Sequence, residues 1–153
     1  MYEIEKLDQK KILDIINRLD FFNNFSIAER QNIIVFHTHI FVYKKGEYII
    51  KEGGDDSCFF ILLSGDISVT KGTNSVNIAN LEAGEFFGEI SFLTNSFRTS
   101  NVVANNEVIV IKVDKDMLTN LNVNIREKIK DKIIEKLILR LNKMNEAFIK
   151  YFI

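Results

Sequence analysis

Gly84, Gly88, Glu89 and Arg98 stand close together near the middle of the chain and could act on one ligand. Gly88 permits a backbone conformation, or a close approach to a ligand, that a side chain would obstruct. Residues 89 to 93 could form one short helical turn whose first N–H groups point at an anion. Arg98 adds a permanently charged donor fork that suits a phosphate. Together these groups could hold one phosphodiester charge.

Glu89 places a carboxylate beside this anion site, where like charges repel unless the carboxylate faces a hydroxyl donor of the same ligand. A ribose 2′-OH is such a donor. The combination therefore points to a ribonucleotide whose sugar and phosphate lie close together. An alternative is that Glu89 and Arg98 form a surface ion pair across a loop, with Gly84 and Gly88 as ordinary turn glycines.

Short β-branched or aromatic runs surround this segment at near-regular spacing. They are HTHIFVY, EYIIKE, CFFILL, DISVTK, SVNIANL, TSNVVA and EVIVIKV. Turn residues separate them, namely Gly46, Gly53, Gly54, Gly65, Gly72 to Asn74, Gly84, Asn105 and Asn106. This series of short strands favours a small all-β barrel, roll or sandwich over alternating βαβ units.

Helical patterns occupy the two ends of the chain. The first has apolar residues at helical spacing, namely Ile4, Leu7, Ile12, Ile15, Ile16 and Leu19. Ser26 with Glu29 forms a capping-box signature that opens a short helix through about Phe36. After Asp114, DKDMLTNL predicts a short helix, and 124 to about 151 a long one. The long helix carries an a/d heptad pattern at Ile134, Leu137, Leu141, Met144, Phe148 and Tyr151.

The bulk composition predicts one folded domain, 1–153, with no attraction to polyanions. The chain has 153 residues, 46% of them hydrophobic, and a formal net charge of -1. We therefore expect neither a nucleic-acid nor a membrane partner, and we expect no helix-turn-helix module to follow Ile153. The N-terminus lacks a secretion signal and no apolar stretch reaches about 18 residues. The expected location is the cytoplasm.

Other reactive side chains do not form a site of their own. Cys58 lies in an apolar run and is predicted to be a buried thiol. His37 and His39 could share one strand face, but no third ligand with metal spacing supports a metal site. Asp55, Asp56 and Asp66 occupy turn signals, where solvated carboxylates are normal. Without a nucleophile elbow or Walker loop, we expect no enzyme activity and no cofactor.

From about Phe22 to Val113 the chain resembles the cyclic-nucleotide-binding domain family of protein kinase regulatory subunits, cyclic-nucleotide-gated channels and catabolite-activator-type regulators. KKGEYIIKEG, FFILLSGDISV and LEAGEFFGE hold its scaffold glycines in order, namely Gly46, Gly53, Gly65, Gly84 and Gly88. The resemblance implies a mainly β fold with flanking helices, an eight-stranded, jelly-roll-like β-roll with N-terminal helices and a long C-terminal helix. These parts would span 1–36 (N-terminal helices), 37–113 (roll) and 114–153 (C-terminal helices).

The resemblance also implies that residues 84–101 are the family's phosphate-binding cassette. It assigns Glu89 to the ribose 2′-OH and Arg98 to the cyclic phosphate. The implied ligand-binding set is Phe87, Gly88, Glu89, Ile90, Ser91, Arg98, Thr99 and Ser100. Phe97 replaces the proline common before the cassette arginine, which could loosen the loop. Thr99 resembles cGMP-preferring members and also cAMP-responsive channels, so the choice between cAMP and cGMP stays open.

Two functional hypotheses follow. The first is a regulatory module that senses a cyclic nucleotide and moves its C-terminal helix, with output to a protein effector or through self-association of that helix. Candidates to close over the purine as a lid are Arg140, Met144, Phe148 and Tyr151. The alternative is a degenerate structural or dimerisation module that uses the heptad stripe. The presence of both Glu89 and Arg98 argues against this alternative.

Overall fold

The computed structural model describes residues 1–3, 9–35 and 39–152. They divide into two compact units, Met1–Leu121 and Asn122–Ile153. The predicted helical positions Ile4 and Leu7, the expected helix end at Phe36, and His37 lie outside the described residues.

The first unit begins with a short strand and helices. These elements are β1 (Tyr2–Glu3), α1 (Gln9–Arg18), a 3-10 turn (Asp20–Phe22) and α2 (Ile27–Val35). The predicted capping box is confirmed at the start of α2, where the Ser26 hydroxyl accepts from the Glu29 N–H at 3.1 Å and the Glu29 carboxylate accepts from the Ser26 N–H at 2.8 Å. Arg30 on α2 donates to the carbonyl of Phe22 at 2.8 Å, which ties the helix to the 3-10 turn.

Eight further strands form the roll. They are β2 (Ile40–Tyr43), β3 (Tyr48–Ile50), β4 (Cys58–Ser64), β5 (Asp66–Lys71), β6 (Val76–Glu82), β7 (Phe86–Phe87), β8 (Asn101–Ala104) and β9 (Val108–Asp114). One antiparallel sheet has the order β1-β2-β9-β4-β7 and the other β3-β8-β5-β6. The predicted eight-stranded roll is confirmed by β2 to β9, and the two-residue β1 extends the first sheet.

Strand β4 is buried on both faces, which explains its unbroken apolar run. Phe60 and Leu62 belong to the core cluster that the two sheets share. On the opposite face, the ring of Phe59 meets that of Phe92 edge-on, with centroids 5.0 Å apart. Cys58, the first residue of the strand, is buried as expected. The neighbouring segments therefore pack against β4 on both of its faces.

Strand β7 was not predicted from the sequence. It fixes the first part of the predicted cassette, residues 84–101. Its two residues pair with β4, Phe87 opposite Phe60 and Phe86 opposite Ile61. The rings of Phe60 and Phe87 stack with centroids 5.2 Å apart. The chain then turns at Gly88 into α3 (Glu89–Thr94). Residues 84–101 are therefore held at the edge of the first sheet by the pairing of β7 with β4.

The predicted short and long C-terminal helices are confirmed. α4 (Lys115–Asn120) closes the first unit and is capped by Asp114, whose carboxylate accepts from the Met117 N–H at 2.7 Å. α5 (Val123–Phe152) spans 30 residues and belongs to the second unit. In the part of the chain that the structure describes, no helix has the length and apolar composition needed to cross a membrane.

Candidate functional site

Gly88 begins the site, and its position requires glycine. Its φ is +81°, in the left-handed region that other residues rarely adopt. A Cβ built there would lie 2.8 Å from Nη1 of Arg98 and 3.0 Å from Cδ1 of Ile50. Any side chain at this position would therefore strain the backbone and also displace the arginine.

Helix α3 has one buried and one exposed face. Glu89 and Ser91 are buried, whereas Ile90 is 48% exposed. The Ser91 hydroxyl donates to the carbonyl of Phe97 at 3.4 Å, linking the helix to the loop that returns toward Arg98. The Glu89 carboxylate, at the first position of the helix, is therefore enclosed next to the Gly88 turn.

Arg98 is the most highly connected side chain of the site and is only 3% exposed. Its Nη1 donates to the carbonyl of Gly88 at 2.8 Å, and its Nη2 to the carbonyl of Cys58 at 2.5 Å. Nε and Nη2 also donate to the two carboxylate oxygens of Asp56, at 3.2 and 2.7 Å. The guanidinium thus joins the glycine turn, the start of β4 and the loop before β4.

The backbone of Arg98 is fixed as firmly as its side chain. Its N–H donates to the carbonyl of Gly54 at 2.8 Å, and its carbonyl accepts from the N–H of Gly53 at the same distance. A Cβ at Gly54 would lie 3.0 Å from the carbonyl of Lys51 and 3.1 Å from Oδ1 of Asp56. The Gly53-Gly54 turn therefore lets the loop before β4 and the cassette approach each other closely.

Charge and burial alter two ionisable groups beside the arginine. Hydrogen bonds from Arg98 hold the pKa of the Asp56 carboxyl below its usual range, although partial burial opposes the shift. Burial raises the pKa of the Cys58 thiol to about 11, with a further contribution from Asp56, whose Oδ2 lies 3.3 Å from Sγ. At neutral pH the site thus contains an ionised aspartate and a protonated, unreactive thiol.

The structure brings most of the predicted site residues together. Glu89, Ser91 and Arg98 are buried next to the half-buried Gly88, while Thr99 is exposed and Ser100 half-buried. The Phe87 ring lies in the core against Phe60, so this residue reaches the site only through its backbone.

The structure adds to one interpretation from the sequence and contradicts another. Asp56 is exposed, as expected of a turn carboxylate, but it also pairs with Arg98 across 42 residues of sequence, which was not predicted. The alternative of a surface ion pair between Glu89 and Arg98 fails because both side chains are buried. The sequence offered one signal for Asp56, its place at the end of a double-glycine turn before a buried strand.

No cluster of three or more His, Cys, Asp or Glu side chains that could hold a metal ion occurs among the described residues. His39 lies 3.9 Å from the Asp114 carboxylate.

The two sheets, the glycine turn and the buried arginine define a β-roll protein in which a short loop and helix lie against β4. The family model described as cyclic nucleotide-binding domain matches residues 40–122, more than half of the chain. The chain belongs to the cyclic nucleotide-binding domain family.

Curated relatives include protein kinases and their regulatory subunits. Human cGMP-dependent protein kinase 2 is 38% identical over 79 residues, which are 48% of this chain and 10% of that protein. The cAMP-dependent protein kinase regulatory subunit of Neurospora crassa is 33% identical over 79 residues, 52% of this chain and 20% of that protein. The chain therefore spans only a tenth to a fifth of the length of these relatives.

Solved structures with the same fold include ligand-bound domains. A structure described as Sp-2Cl-cAMPS bound to PKAR CBD2 has a TM-score of 0.69 and 25% identity, covering 92% of both chains. cAMP-bound PfPKA-R has a TM-score of 0.65 and 27% identity, covering 91% of this chain and 48% of that one. The Thermus thermophilus catabolite activator protein, at 18% identity and a TM-score of 0.70 over 84% of this chain and 61% of that one, shares the fold.

Proposed function

We propose that this chain binds a cyclic nucleoside monophosphate, cAMP or cGMP, through residues 84–101 and acts as a sensing module. The observation that carries the proposal is the burial of two side chains at the Gly88 turn: Glu89, which directly follows it, and Arg98, which donates to its carbonyl. A carboxylate that can accept from a hydroxyl and a guanidinium that can donate to an anion suit a ligand that carries both groups.

The phosphate would bind at the start of α3. The first N–H groups of a helix have no acceptor within the helix and favour an anion, and here they belong to Glu89, Ile90 and Ser91. Arg98 has five N–H donors. One N–H of Nη1 donates to the carbonyl of Gly88, and in this proposal the other donates to a phosphate oxygen, while Nε and Nη2 hold the guanidinium against Asp56 and Cys58.

Glu89 would accept from the ribose 2′-OH. In a cyclic nucleotide the phosphate joins the 3′ and 5′ oxygens, so the 2′-OH lies next to the charged group. Thr99 and Ser100, at the margin of the site, would contact the phosphate or the purine. Either purine fits this description, so cAMP and cGMP are both candidates.

The output of the module would be a change in α5. A ligand can change the position of α5 only if it binds the protein with different affinity in the two positions of the helix. We propose that this change reaches a protein effector or a second copy of the chain, with Arg140, Met144, Phe148 and Tyr151 as candidate contacts to the purine. In this proposal the module acts in the cytoplasm, catalyses no reaction itself, and needs neither a metal nor a nucleic-acid or membrane partner.

A thermal-shift series tests the assignment. Ligand at about 100 times its dissociation constant should add roughly 2.7 kcal/mol to the free energy of unfolding of the wild type. Arg98→Ala and Glu89→Ala should lose most of this shift. Glu82→Ala, which removes an exposed carboxylate from the neighbouring strand β6, is the control and should keep it. If both site variants keep the full shift, the cassette assignment is wrong.

A further inference from the structure

The last two-thirds of α5 expose an apolar surface that extends beyond the candidate purine contacts Met144, Phe148 and Tyr151. Nine large apolar side chains of this segment are each more than half exposed: Ile134, Ile138, Leu139, Leu141, Met144, Phe148, Ile149, Tyr151 and Phe152. By contrast, Ile125, Ile129 and Ile133 near the start of the helix are buried. Exposed apolar surface of this extent on one element marks an interaction site.

Six residues form one line along the helix, which we call the seam: Ile134, Leu137, Leu141, Met144, Phe148 and Tyr151. Five of them belong to the exposed surface, and Leu137 is half-buried. Their spacing alternates between three and four residues, the a/d pattern that places side chains against a second helix. The flanking e and g positions are 133, 138, 140, 145, 147 and 152, and they carry one charged residue, Arg140. Like charges therefore do not oppose each other when two copies of the seam meet.

We propose that α5 pairs with α5 of a second copy in antiparallel orientation, centred between Asn142 and Lys143. Ile134 then lies opposite Tyr151, Leu137 opposite Phe148, and Leu141 opposite Met144. This deepens the proposed function by identifying a second copy as the partner of α5.

Side-chain size favours this orientation. In a parallel pair each residue meets itself, so Phe148 and Tyr151 form two bulky aromatic layers at one end while Ile134 and Leu137 form thin layers at the other. In the antiparallel pair each aromatic ring meets an aliphatic side chain, and the layers have similar size. Opposing large against small residues is what allows facing side chains to interdigitate. The interaction of the two antiparallel helix dipoles adds a small favourable contribution to the free energy of pairing.

The surface available is sufficient for a stable pair. Phe148, Tyr151 and Phe152 are 63%, 89% and 72% exposed. Because an aromatic side chain buries about 150–250 Å², these three supply roughly 450 Å² of the ~800 Å² that each partner contributes to a standard interface. The exposed aliphatic residues of the same surface supply the remainder.

Cysteine cross-linking distinguishes the orientations. In the antiparallel pair the two copies of position 151 lie about 25 Å apart, because 17 residues separate positions 134 and 151 at about 1.5 Å each. That distance is far beyond the reach of a disulfide. We expect Ile134→Cys/Tyr151→Cys to form a covalent dimer under mild oxidation, and Tyr151→Cys alone to form none. Efficient cross-linking of the single variant would overturn the antiparallel register.

Light scattering tests the pairing itself. The wild type should have twice the 17.7 kDa mass of one chain, and Leu141→Asp should have the mass of a single chain. Asn142→Asp, one position away and outside the seam, is the matched control and should stay dimeric. A wild-type mass of 17.7 kDa would overturn the proposal. Calorimetry with cAMP and cGMP on the same samples reports nucleotide binding separately, so loss of pairing and loss of the proposed function give different results.

Discussion

The guanidinium of Arg98 donates to both carboxylate oxygens of Asp56, with Nη2 2.7 Å from Oδ2 and Nε 3.2 Å from Oδ1. The arginine is buried, whereas the side chain of Asp56 is 45% exposed. The pair therefore extends from the interior to the surface, and it fixes the plane of the guanidinium. Because Nη1 remains directed at the Gly88 turn, Asp56 orients the group that we expect to bind phosphate.

Replacing Asp56 by asparagine should weaken the fold. Asp56→Asn keeps the shape of the side chain but leaves the buried Arg98 without its carboxylate partner. We expect the free energy of unfolding to fall by about 1–2 kcal/mol, a value below that of a fully buried pair because solvent screens the exposed aspartate. Urea denaturation measures the loss. Asp55→Asn, at the exposed neighbouring position, is the control, and an equal effect of the two variants would contradict the role of the pair.

The effect of Asp56→Asn should depend on pH. In the folded wild type, the hydrogen bonds from Arg98 hold the pKa of the Asp56 carboxyl below its usual range. A lowered folded-state pKa stabilises the fold above the unfolded pKa of about 3.9, and this stabilisation is lost as the pH falls through the folded pKa. The difference in unfolding free energy between wild type and variant should be complete near pH ~6 and shrink below pH ~4. A difference that grows on acidification would contradict the account.

Gly88→Ala should damage both stability and binding. The substitution strains a backbone at φ +81° and places a Cβ 2.8 Å from Nη1 of Arg98. Gly46→Ala is the matched control, because Gly46 has a similar φ of +87° with nothing within 4 Å of its Cβ. We expect Gly46→Ala to cost about 1–2 kcal/mol in unfolding free energy through backbone strain alone. Gly88→Ala should cost more and also lower nucleotide affinity at least tenfold, whereas equal behaviour of the two variants would show that the contact with Arg98 is unimportant.

The role of Glu89 can be tested with a ligand that lacks one hydroxyl. If the carboxylate accepts from the 2′-OH, the wild type should bind the 2′-deoxy form of its nucleotide about tenfold more weakly, as expected for a hydrogen bond to a charged group. Glu89→Gln should show a much smaller difference between the two nucleotides. Titration calorimetry completes this double-mutant cycle. Equal hydroxyl effects in wild type and variant would assign the 2′-OH to another residue.

The regular features of the fold were accessible from the sequence because each depends on local chemistry. The Ser26–Glu29 capping box, the short helix that follows Asp114 and the long C-terminal helix occur where pattern and spacing predicted them. Strand β7 was missed because two residues are too few for a periodic signal, and it exists through its pairing with Phe60 and Ile61 of β4.

The site was predicted only in part, for a similar physical reason. Gly88, Glu89 and Arg98 stand within one segment, so the types and spacing of their side chains indicated an anion and a hydroxyl donor. Asp56 stands 42 positions from Arg98, and the contact exists because the Gly53-Gly54 turn brings the loop before β4 against the cassette. Such a contact depends on tertiary packing, which no local pattern in one sequence reports.

Titration calorimetry of the wild type with cAMP and cGMP tests the central claim most directly. We expect at least one of the two to bind saturably with one site per chain, and 5′-AMP, which lacks the cyclic phosphate, to bind far more weakly. Arg98→Lys, which keeps the charge but loses the planar donor fork, should reduce the affinity at least tenfold. Binding of neither cyclic nucleotide at millimolar concentration, by protein shown to be folded, would contradict the account.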